Sequence, residues 1–232
     1  MRFRYAFLFF IIIFIIYGCS SKAEIAGKIV DWKGQAMSGV KVIAQQVHPT
    51  KGYEQFETTT DSDGIFHFHK AYPNSEYALS VASDQWKTEQ RVIVQSGPKG
   101  KKNTPLVTIV IRFIVSKDGL ITDTKTGMQW IPMPDYTFSW DGAVTHAQNL
   151  RTGGYSDWRL PERAELRQLF DGSSRNEITA TFHINANTWV WSSEPHDSQA
   201  TWRLNLLTGA EDFIFRGNSM GNMAMVAVRT PK

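Results

Sequence analysis

The sequence predicts a multidomain protein in which an all-β sandwich is followed by an α+β domain. From residue 24 to about 113, apolar residues alternate with period two in short segments separated by Gly, Pro, Asn and Asp, which is typical of sandwich strands. From 116 to 232, two segments of helical periodicity precede several strand-like segments. An apolar leader stands before both domains, so the whole-chain averages of 42 % apolar residues and net charge +3 mix unlike parts.

The leader combines a basic start, an apolar run and a cysteine. Arg2 and Arg4 precede an apolar run at 6–16, which is too short to span a bilayer easily. The Ile-Tyr-Gly-Cys sequence at 16–19 resembles the lipobox, which implies a signal peptide at 1–18, lipidation of Cys19 and a tether at 19–23. Ser20, rather than Asp, after the cysteine favours the outer membrane, through family resemblance. The alternative is an uncleaved N-terminal anchor.

Charge and cysteine content exclude several classes of protein. Loss of Arg2 and Arg4 with the leader reduces 25 basic side chains to 23, against 22 acidic ones, for a net charge of +1. Such a chain has no general nucleic-acid footprint, so no nucleic-acid partner is expected. Cys19 is the only cysteine, which excludes an intramolecular disulfide framework and a thiolate metal cluster.

In the first domain the order of strands and turns is informative. Strands are predicted at 40–42, 65–68, 77–81, 91–94 and 106–113. Gly34 and Gly39 bracket a loop before a strand, and Asp63 with Gly64 forms a tight-turn pair. Over 24–113 this order resembles the carboxypeptidase regulatory-like family. The resemblance implies a transthyretin-like or Ig-like sandwich that serves as an accessory module or stalk, without a catalytic group.

The second domain, at 116–232, begins with two predicted helices. Ser139 is a suitable N-cap for a helix with an apolar stripe, and Gly153 with Gly154 follows it. Pro161 is expected in the first turn of a second helix that buries Leu166 and Leu169. Strands are predicted near 189–191, 201–206, 212–215 and 223–228.

Separated motifs of the second domain occur in a recognisable order. They lie at 118–123, 126–130, 153–161, 191–193 and 227–229. Between 117 and 230 they resemble the C-terminal domain of bacterial collagen-like adhesins. The resemblance implies a fold related to C-type lectins and to the formylglycine-generating enzyme, with trimerisation and binding to sulfated polysaccharides. The chain contains no Gly-X-Y repeat, so the oligomeric state stays open.

Candidate ligand-binding residues are aromatic and arginine side chains of the second domain, which contains six of the eight tryptophans. Tryptophan rings stack on sugars, and the planar guanidinium group binds anions. The predicted binding residues are Trp158, Arg159, Trp191, Trp202 and Arg203. The alternatives are that most of these tryptophans are core residues and that Arg159 pairs with a nearby carboxylate to fix a helix entry.

The remaining motifs do not predict catalysis, a metal site or a cofactor. The Gly-X-Ser-X-Gly match at 217–221, around Ser219, is followed by no acid or histidine, which excludes a hydrolase elbow. His67 and His69 share one face of a strand and leave metal binding open, because a third ligand cannot be identified. Glu194, Pro195 and His196 depart from the Glu-Pro-Asn triplet of calcium-dependent lectins. Lysines at 99–102 are interpreted as a solvated loop, a lipid-headgroup contact or a polysaccharide contact.

Together these patterns predict a non-catalytic protein held in the outer membrane by its N-terminal lipid. The second domain would bind a surface ligand such as a polysaccharide, on a β-sandwich stalk. The alternative is a structural envelope lipoprotein whose second domain docks on a protein partner. An exposed groove of Trp and Arg favours a glycan, whereas a broad, flat apolar patch favours a protein.

Overall fold

The computed structural model describes residues 22–231, except 104, 134, 135, 171, 173, 174, 186 and 218–222. Cys19, the rest of the leader and Ser219 lie outside the described residues. The described chain is mostly β. Its first half contains β1 Ala23–Asp31, β2 Lys41–Gln46, β3 Gln55–Thr59, β4 Ile65–Ala71, β5 Glu76–Ala82, β6 Trp86–Gln95 and β7 Val107–Ile111. Its second half contains β8 Phe113–Ser116, β9 Ile121–Asp123, β10 Gln129–Met133, α1 Trp140–Asn149, a 3-10 turn at Thr152–Gly154, α2 Arg163–Leu169, α3 Arg175–Phe182, β11 Trp189–Pro195, β12 Ala200–Asn205, β13 Glu211–Phe215 and β14 Met223–Arg229.

The first half is a β-sandwich. One layer has the strand order β4-β1-β7, in which β1 is antiparallel to β4 and parallel to β7. The facing layer runs β3-β2-β5-β6 with antiparallel pairing. Alternate residues of β2 and β5 are buried, as the period-two pattern predicts. The shared core includes Ile25, Ile29, Phe66 and Ile109 from one layer and Val42, Tyr77, Leu79 and Val94 from the other.

The predicted turn before β4 is held by a single carboxylate. Asp61 Oδ1 accepts hydrogen bonds from the backbone N–H groups of Asp63 at 3.0 Å and Ile65 at 2.8 Å. Gly64 has φ +74°, and a Cβ there would lie 2.5 Å from the Ile29 carbonyl oxygen. Glycine is therefore required both by the backbone conformation and by the close approach of β1.

The helices of the second half agree with the sequence in part. Ser139 Oγ accepts a hydrogen bond from Gly142 N, which confirms the predicted N-cap of α1. The second helix begins at Arg163, later than expected, because Glu162 and Glu165 form a capping box that fixes its first turn. The sequence pattern did not predict α3, whose buried residues Ile178 and Phe182 pack in the second core.

The strands of the second half continue the facing layer of the sandwich. The full strand order is β13-β12-β11-β14-β10-β9-β8-β6-β5-β2-β3, so β6 pairs with both β5 and β8. The two helix-covered cores contain Trp130, Leu166 and Val226 in one and Trp158, Trp191 and Met225 in the other. All three cores are built from residues 25–228.

A fully buried ion pair lies where the two halves meet. Arg112 donates from Nε and Nη2 to the two carboxylate oxygens of Asp123, each at 3.2 Å. Arg112 Nη2 also donates to the carbonyl oxygens of Gln168 at 2.9 Å and Leu169 at 3.1 Å, in the last turn of α2. One side chain thus links the end of the sandwich, β9 and α2. Within the described residues, none of the helices has the length and apolar character needed to span a membrane.

Candidate ligand-binding surface

Two of the predicted binding residues are core residues. Trp158 is 2 % exposed and Trp191 is fully buried. Their indole N–H groups donate to backbone carbonyl oxygens, Trp158 to Thr152 at 3.2 Å and Trp191 to Phe138 at 2.9 Å. The structure therefore corrects the prediction that Trp158 and Trp191 bind a ligand, because buried rings that already have hydrogen-bond partners offer no stacking face. The alternative interpretation, in which most of these tryptophans pack in the core, agrees with their burial.

Arg159 forms a structural ion pair. Its guanidinium donates two hydrogen bonds to the Glu165 carboxylate, at 2.8 and 2.6 Å. Burial alone raises the pKa of Glu165, but the hydrogen bonds from Arg159 and the Glu162 backbone N–H outweigh it and leave that pKa below its ordinary value. Glu165 Oε2, which accepts one of these two bonds, also accepts a hydrogen bond from the Glu162 backbone N–H at 2.8 Å. The Glu165 side chain thus caps the start of α2. Arg159 thus fixes the helix entry, as the second interpretation of this residue predicted.

Trp202 and Arg203 are neighbours in β12 and lie on opposite faces of the sheet. The Arg203 guanidinium carbon lies 4.3 Å from the centre of the Trp189 ring, and its Nη2 donates to Asp212 at 3.0 Å. The hydrogen bond from Arg203 lowers the pKa of Asp212. The two predicted binding residues consequently cannot line one groove, although they are adjacent in sequence.

The face that carries Trp202 presents a cluster of aromatic rings. His196 stacks on Phe213 with ring centres 3.8 Å apart, and the Trp202 ring stands edge-on at 5.2 Å from His196 and 5.7 Å from Phe213. Phe213 is 47 % exposed and Phe215, two residues along β13, is 69 % exposed. We call His196, Trp202, Phe213 and Phe215 the aromatic surface. Exposed rings of this size mark binding sites more often than ordinary surface does.

Arginines frame the aromatic surface, and their charge is balanced. The Arg163 guanidinium carbon lies 3.7 Å from the centre of the Trp202 ring. Arg163 and Arg167 both donate to the Glu211 carboxylate, with Arg163 Nη2 at 2.6 Å and Arg167 Nη2 at 2.7 Å. These hydrogen bonds, that of Arg167 foremost, lower the pKa of Glu211 to about 2. The Glu194 carboxylate accepts from the Arg163 backbone N–H at 2.9 Å.

The sequence predicted Trp202 but missed the other three members of the aromatic surface. Phe213 and Phe215 stand two residues apart in β13, so their side chains lie on one face of the strand. Aromatic residues at such spacing normally indicate the buried face of a strand. Here α2 packs against β11 and β12, and both rings on β13 are exposed. His196 belongs to the turn that brings β11 back into β12.

A second concave region lies between the two halves of the chain. This cleft of about 800 Å³ is lined by Trp32, Glu89, Gln90, Arg91, Val110, Gly172, Arg175, Asn176 and Glu177. The pairing of β5 with β6 shifts register between Ser80 and Ala82, opposite the segment that carries Gln90. The side-chain Oε1 of Gln90 is buried and accepts no hydrogen bond from the described residues. The lining of this cleft contains hydrogen-bond donors, hydrogen-bond acceptors and one exposed aromatic ring, that of Trp32.

The two histidines of β4 lie side by side with parallel rings, 5.6 Å between ring centres. His69 Nδ1 is 3.5 Å from Glu24 Oε1. Across the described part of the chain, no three His, Cys, Asp or Glu side chains are grouped closely enough to hold a metal ion. The described residues therefore supply no third ligand for a metal ion at His67 and His69.

The sequence of the second half matches a known domain family. Residues 119–229 match the Lcl C-terminal domain. The match covers nearly the same part of the chain as the adhesin-like motifs of the sequence, which extend over 117–230. It includes α1, α2, α3 and the whole aromatic surface. The match agrees with the adhesin-like resemblance of the second half.

Solved structures resemble the chain only weakly. The adhesin InvE of Yersinia pseudotuberculosis is 14 % identical, with a TM-score of 0.34 over 83 % of this chain and 60 % of that chain. A 9R-lipoxygenase from Cyanothece PCC8801 is 10 % identical, with a TM-score of 0.27 over 89 % and 42 %. A 3-chlorocatechol 1,2-dioxygenase from Rhodococcus opacus 1CP is 12 % identical, with a TM-score of 0.24 over 38 % and 53 %. The chain thus spans about half of the length of these proteins. No curated protein matches the chain.

Proposed function

We propose that this protein is a non-catalytic, adhesin-like envelope protein whose second half binds polysaccharide through the aromatic surface. The observation that carries the proposal is the exposure of Phe213 and Phe215 beside Trp202 and His196. Sugar rings present apolar C–H faces that stack on such rings. In this proposal the second half has a lectin-like fold, and the β-sandwich is a stalk without a catalytic role.

The charge around the aromatic surface favours stacking over ionic attraction as the source of affinity. Arg163 and Arg167 share Glu211, and Arg203 on the opposite face pairs with Asp212. A guanidinium that already has a carboxylate partner gains less from an anionic ligand, because one ion pair replaces another. We therefore expect binding that changes little with salt concentration, in contrast to the polysaccharide binding driven by sulfate that the family resemblance implies.

The experiment is a comparison of polysaccharide binding by residues 20–232 and by two variants. The double variant Phe213→Ala/Phe215→Ala should lose affinity about ten-fold, because each aromatic contact contributes about 0.5–1.5 kcal/mol. Tyr136→Ala is the matched control, since Tyr136 is 63 % exposed and outside the aromatic surface. A panel of neutral and sulfated polysaccharides is tested by affinity chromatography at low and high salt. Equal retention of the double variant and the wild type contradicts the assignment of the site.

A protein partner is the second candidate function. It is favoured by the position of β13, which is the last strand of the described sheet order and carries Phe215 at its end. An open strand edge pairs with an extended segment of a partner through backbone hydrogen bonds. Polysaccharide binding fails in this case, while crosslinking in envelope preparations captures one protein that the Phe213→Ala/Phe215→Ala variant does not capture.

We also propose that Cys19 anchors the protein in the outer membrane through attached lipid. Support comes from the lipobox-like sequence at 16–19, because attached acyl chains give stable membrane anchoring. Cys19→Ser should abolish incorporation of labelled fatty acid and release the protein from the outer-membrane fraction. Unchanged labelling of the variant contradicts the anchor.

A further inference from the structure

One end of the β-sandwich is basic, and it is the end at which the described chain begins. The register of β1 with β4, of β2 with β5 and of β5 with β6 places the loops 47–54, 72–75 and 96–103 at the same end as Ala23. Six lysines lie in or beside these loops: Lys22, Lys51, Lys70, Lys99, Lys101 and Lys102. Three acids accompany them: Glu24, Glu54 and Glu76. We call this region the basic end.

The opposite end of the sandwich has the reverse charge. The turns at 31–39, 60–64 and 83–85 contain four aspartates and one lysine, Lys33, and Lys41 and Lys87 lie beside them. The sandwich is therefore electrically polarised along its strands, although the mature chain is almost neutral. A local field of this kind orients a protein at a charged surface even when the net charge is small.

Lysines of the 96–103 loop are held around the start of β1. Gly100 N donates to the Lys22 carbonyl oxygen at 2.8 Å, and Glu24 N donates to the Lys101 carbonyl oxygen at 3.0 Å. The buried Asn103 side chain accepts from Ala26 N at 2.7 Å and donates to Ala26 O at 3.1 Å. These bonds fix the backbone of the loop and leave the three lysine side chains exposed.

The basic end lies within a short length of chain from the predicted lipidation site. Cys19 precedes Lys22 by three residues, and an extended chain covers at most about 3.6 Å per residue, or about 11 Å in total. Tyr72 is 42 % exposed in the adjacent 72–75 loop, and Ser96 Oγ donates to its carbonyl oxygen at 2.5 Å. An exposed tyrosine among lysines is typical of a surface that meets the headgroup region of a bilayer.

We propose that the basic end binds the anionic headgroups of the membrane in which Cys19 is anchored. The inference rests on the proposed lipid anchor, which brings this end to the membrane surface. Each lysine near an anionic bilayer raises partitioning about five-fold, and the attraction falls off within a Debye length of about 10 Å. The lipid then holds the protein at the membrane, while the lysines fix which end of the sandwich faces it.

The test uses residues 20–232, which lack Cys19 and keep all three cores. Its binding to vesicles therefore does not depend on lipidation, so failure of this inference and failure of the anchor are separate results. Co-sedimentation is measured with vesicles of phosphatidylcholine alone and of phosphatidylcholine mixed with phosphatidylglycerol, at low and high salt. The test variant is Lys22→Gln/Lys99→Gln/Lys101→Gln/Lys102→Gln. The control is Lys33→Gln/Lys41→Gln/Lys87→Gln/Lys117→Gln, which has the same net charge.

We expect the wild-type chain and the control to bind the mixed vesicles at low salt and to dissociate at high salt. The test variant should bind at least about ten-fold more weakly. Equal losses in both variants show that total charge, rather than the basic end, is responsible and overturn the inference. Equal binding to neutral and anionic vesicles overturns it as well. So does retention on an acidic polysaccharide without vesicle binding, which reassigns the lysines to a different ligand.

Discussion

The two halves of the molecule use different cations. Ten of the thirteen lysines lie between residues 22 and 102, whereas nine of the twelve arginines lie from Arg112 onward. The lysine pairs of the sandwich are solvent-exposed, as in Lys41 and Glu57 at 3.9 Å with both side chains about half exposed. The arginine pairs of the second half are partly or fully buried and often bidentate.

This difference follows from the chemistry of the two side chains. The planar guanidinium of arginine donates several hydrogen bonds in a fixed geometry, so it connects a carboxylate to backbone carbonyl groups or to an aromatic ring. Arg229 is an example that connects a carboxylate to an aromatic ring. Its Nε donates to Asp157 Oδ1 at 2.7 Å, and its guanidinium carbon lies 3.5 Å from the centre of the Tyr155 ring. Lysine is a hydrated point charge. The arginines therefore stabilise the fold of the second half, while most lysine side chains of the sandwich are solvent-exposed.

The largest effect expected from this comparison is at the buried pair between the halves. Arg112→Met should lower the free energy of unfolding by about 3–5 kcal/mol, because it leaves the Asp123 carboxylate buried without its partner. Urea unfolding followed by circular dichroism measures the change. The double variant Arg112→Met/Asp123→Leu should recover part of the loss. A loss below 1 kcal/mol in the single variant would mean that Arg112 contributes no more to stability than an exposed lysine pair, which contradicts the comparison.

An intermediate effect is expected at Glu211, which binds both Arg163 and Arg167. Glu211→Gln should lower the free energy of unfolding at neutral pH by about 1 kcal/mol. The pKa of this carboxyl is about 2 in the folded protein and 4.5 ordinarily, so its contribution is complete above pH 4.5. It is lost as the pH falls toward 2. Urea unfolding at several pH values should show wild type and variant converging over this range, and a difference independent of pH would exclude the carboxylate charge as its source.

The smallest effect is expected at a lysine pair of the sandwich. Lys41→Gln should change the free energy of unfolding by less than about 0.5 kcal/mol, because an exposed pair at 3.9 Å is weakened by water and salt. The same urea assay at low and high salt measures it. A loss as large as that of Glu211→Gln would show that the cation type does not separate the two halves.

The local elements of this fold were the most predictable from sequence. Ser139 capped its helix and Gly64 closed its turn, because both depend on interactions within a few residues. The period-two pattern of β2 and β5 corresponded to their burial. α3 was missed because residues 175–182 contain few apolar side chains, and its helix is stabilised by packing of Ile178 and Phe182 in the second core.

The candidate site was predicted less well. Trp158, Trp191 and Trp202 have equal status in the sequence, but only Trp202 reaches the aromatic surface. The pairing of β12 with β13 sets Trp202 opposite Phe213, a contact between residues eleven positions apart. Nothing in the local sequence of Phe213 indicates which face of its strand is covered, since that depends on where α2 packs, and α2 packs against β11 and β12.

By itself, the sequence determined the order of elements, the turns and the unequal distribution of lysine and arginine, because these depend on residue type and spacing. It also supplied the motifs by which residues 119–229 match the Lcl C-terminal domain. Only the tertiary structure decided which predicted tryptophan lies in the aromatic surface and which arginines are paired. It alone brought Lys22 beside the 96–103 loop and gave the nearly neutral chain a basic end. Strand register sets these contacts between distant residues, and many pairings are compatible with one local pattern.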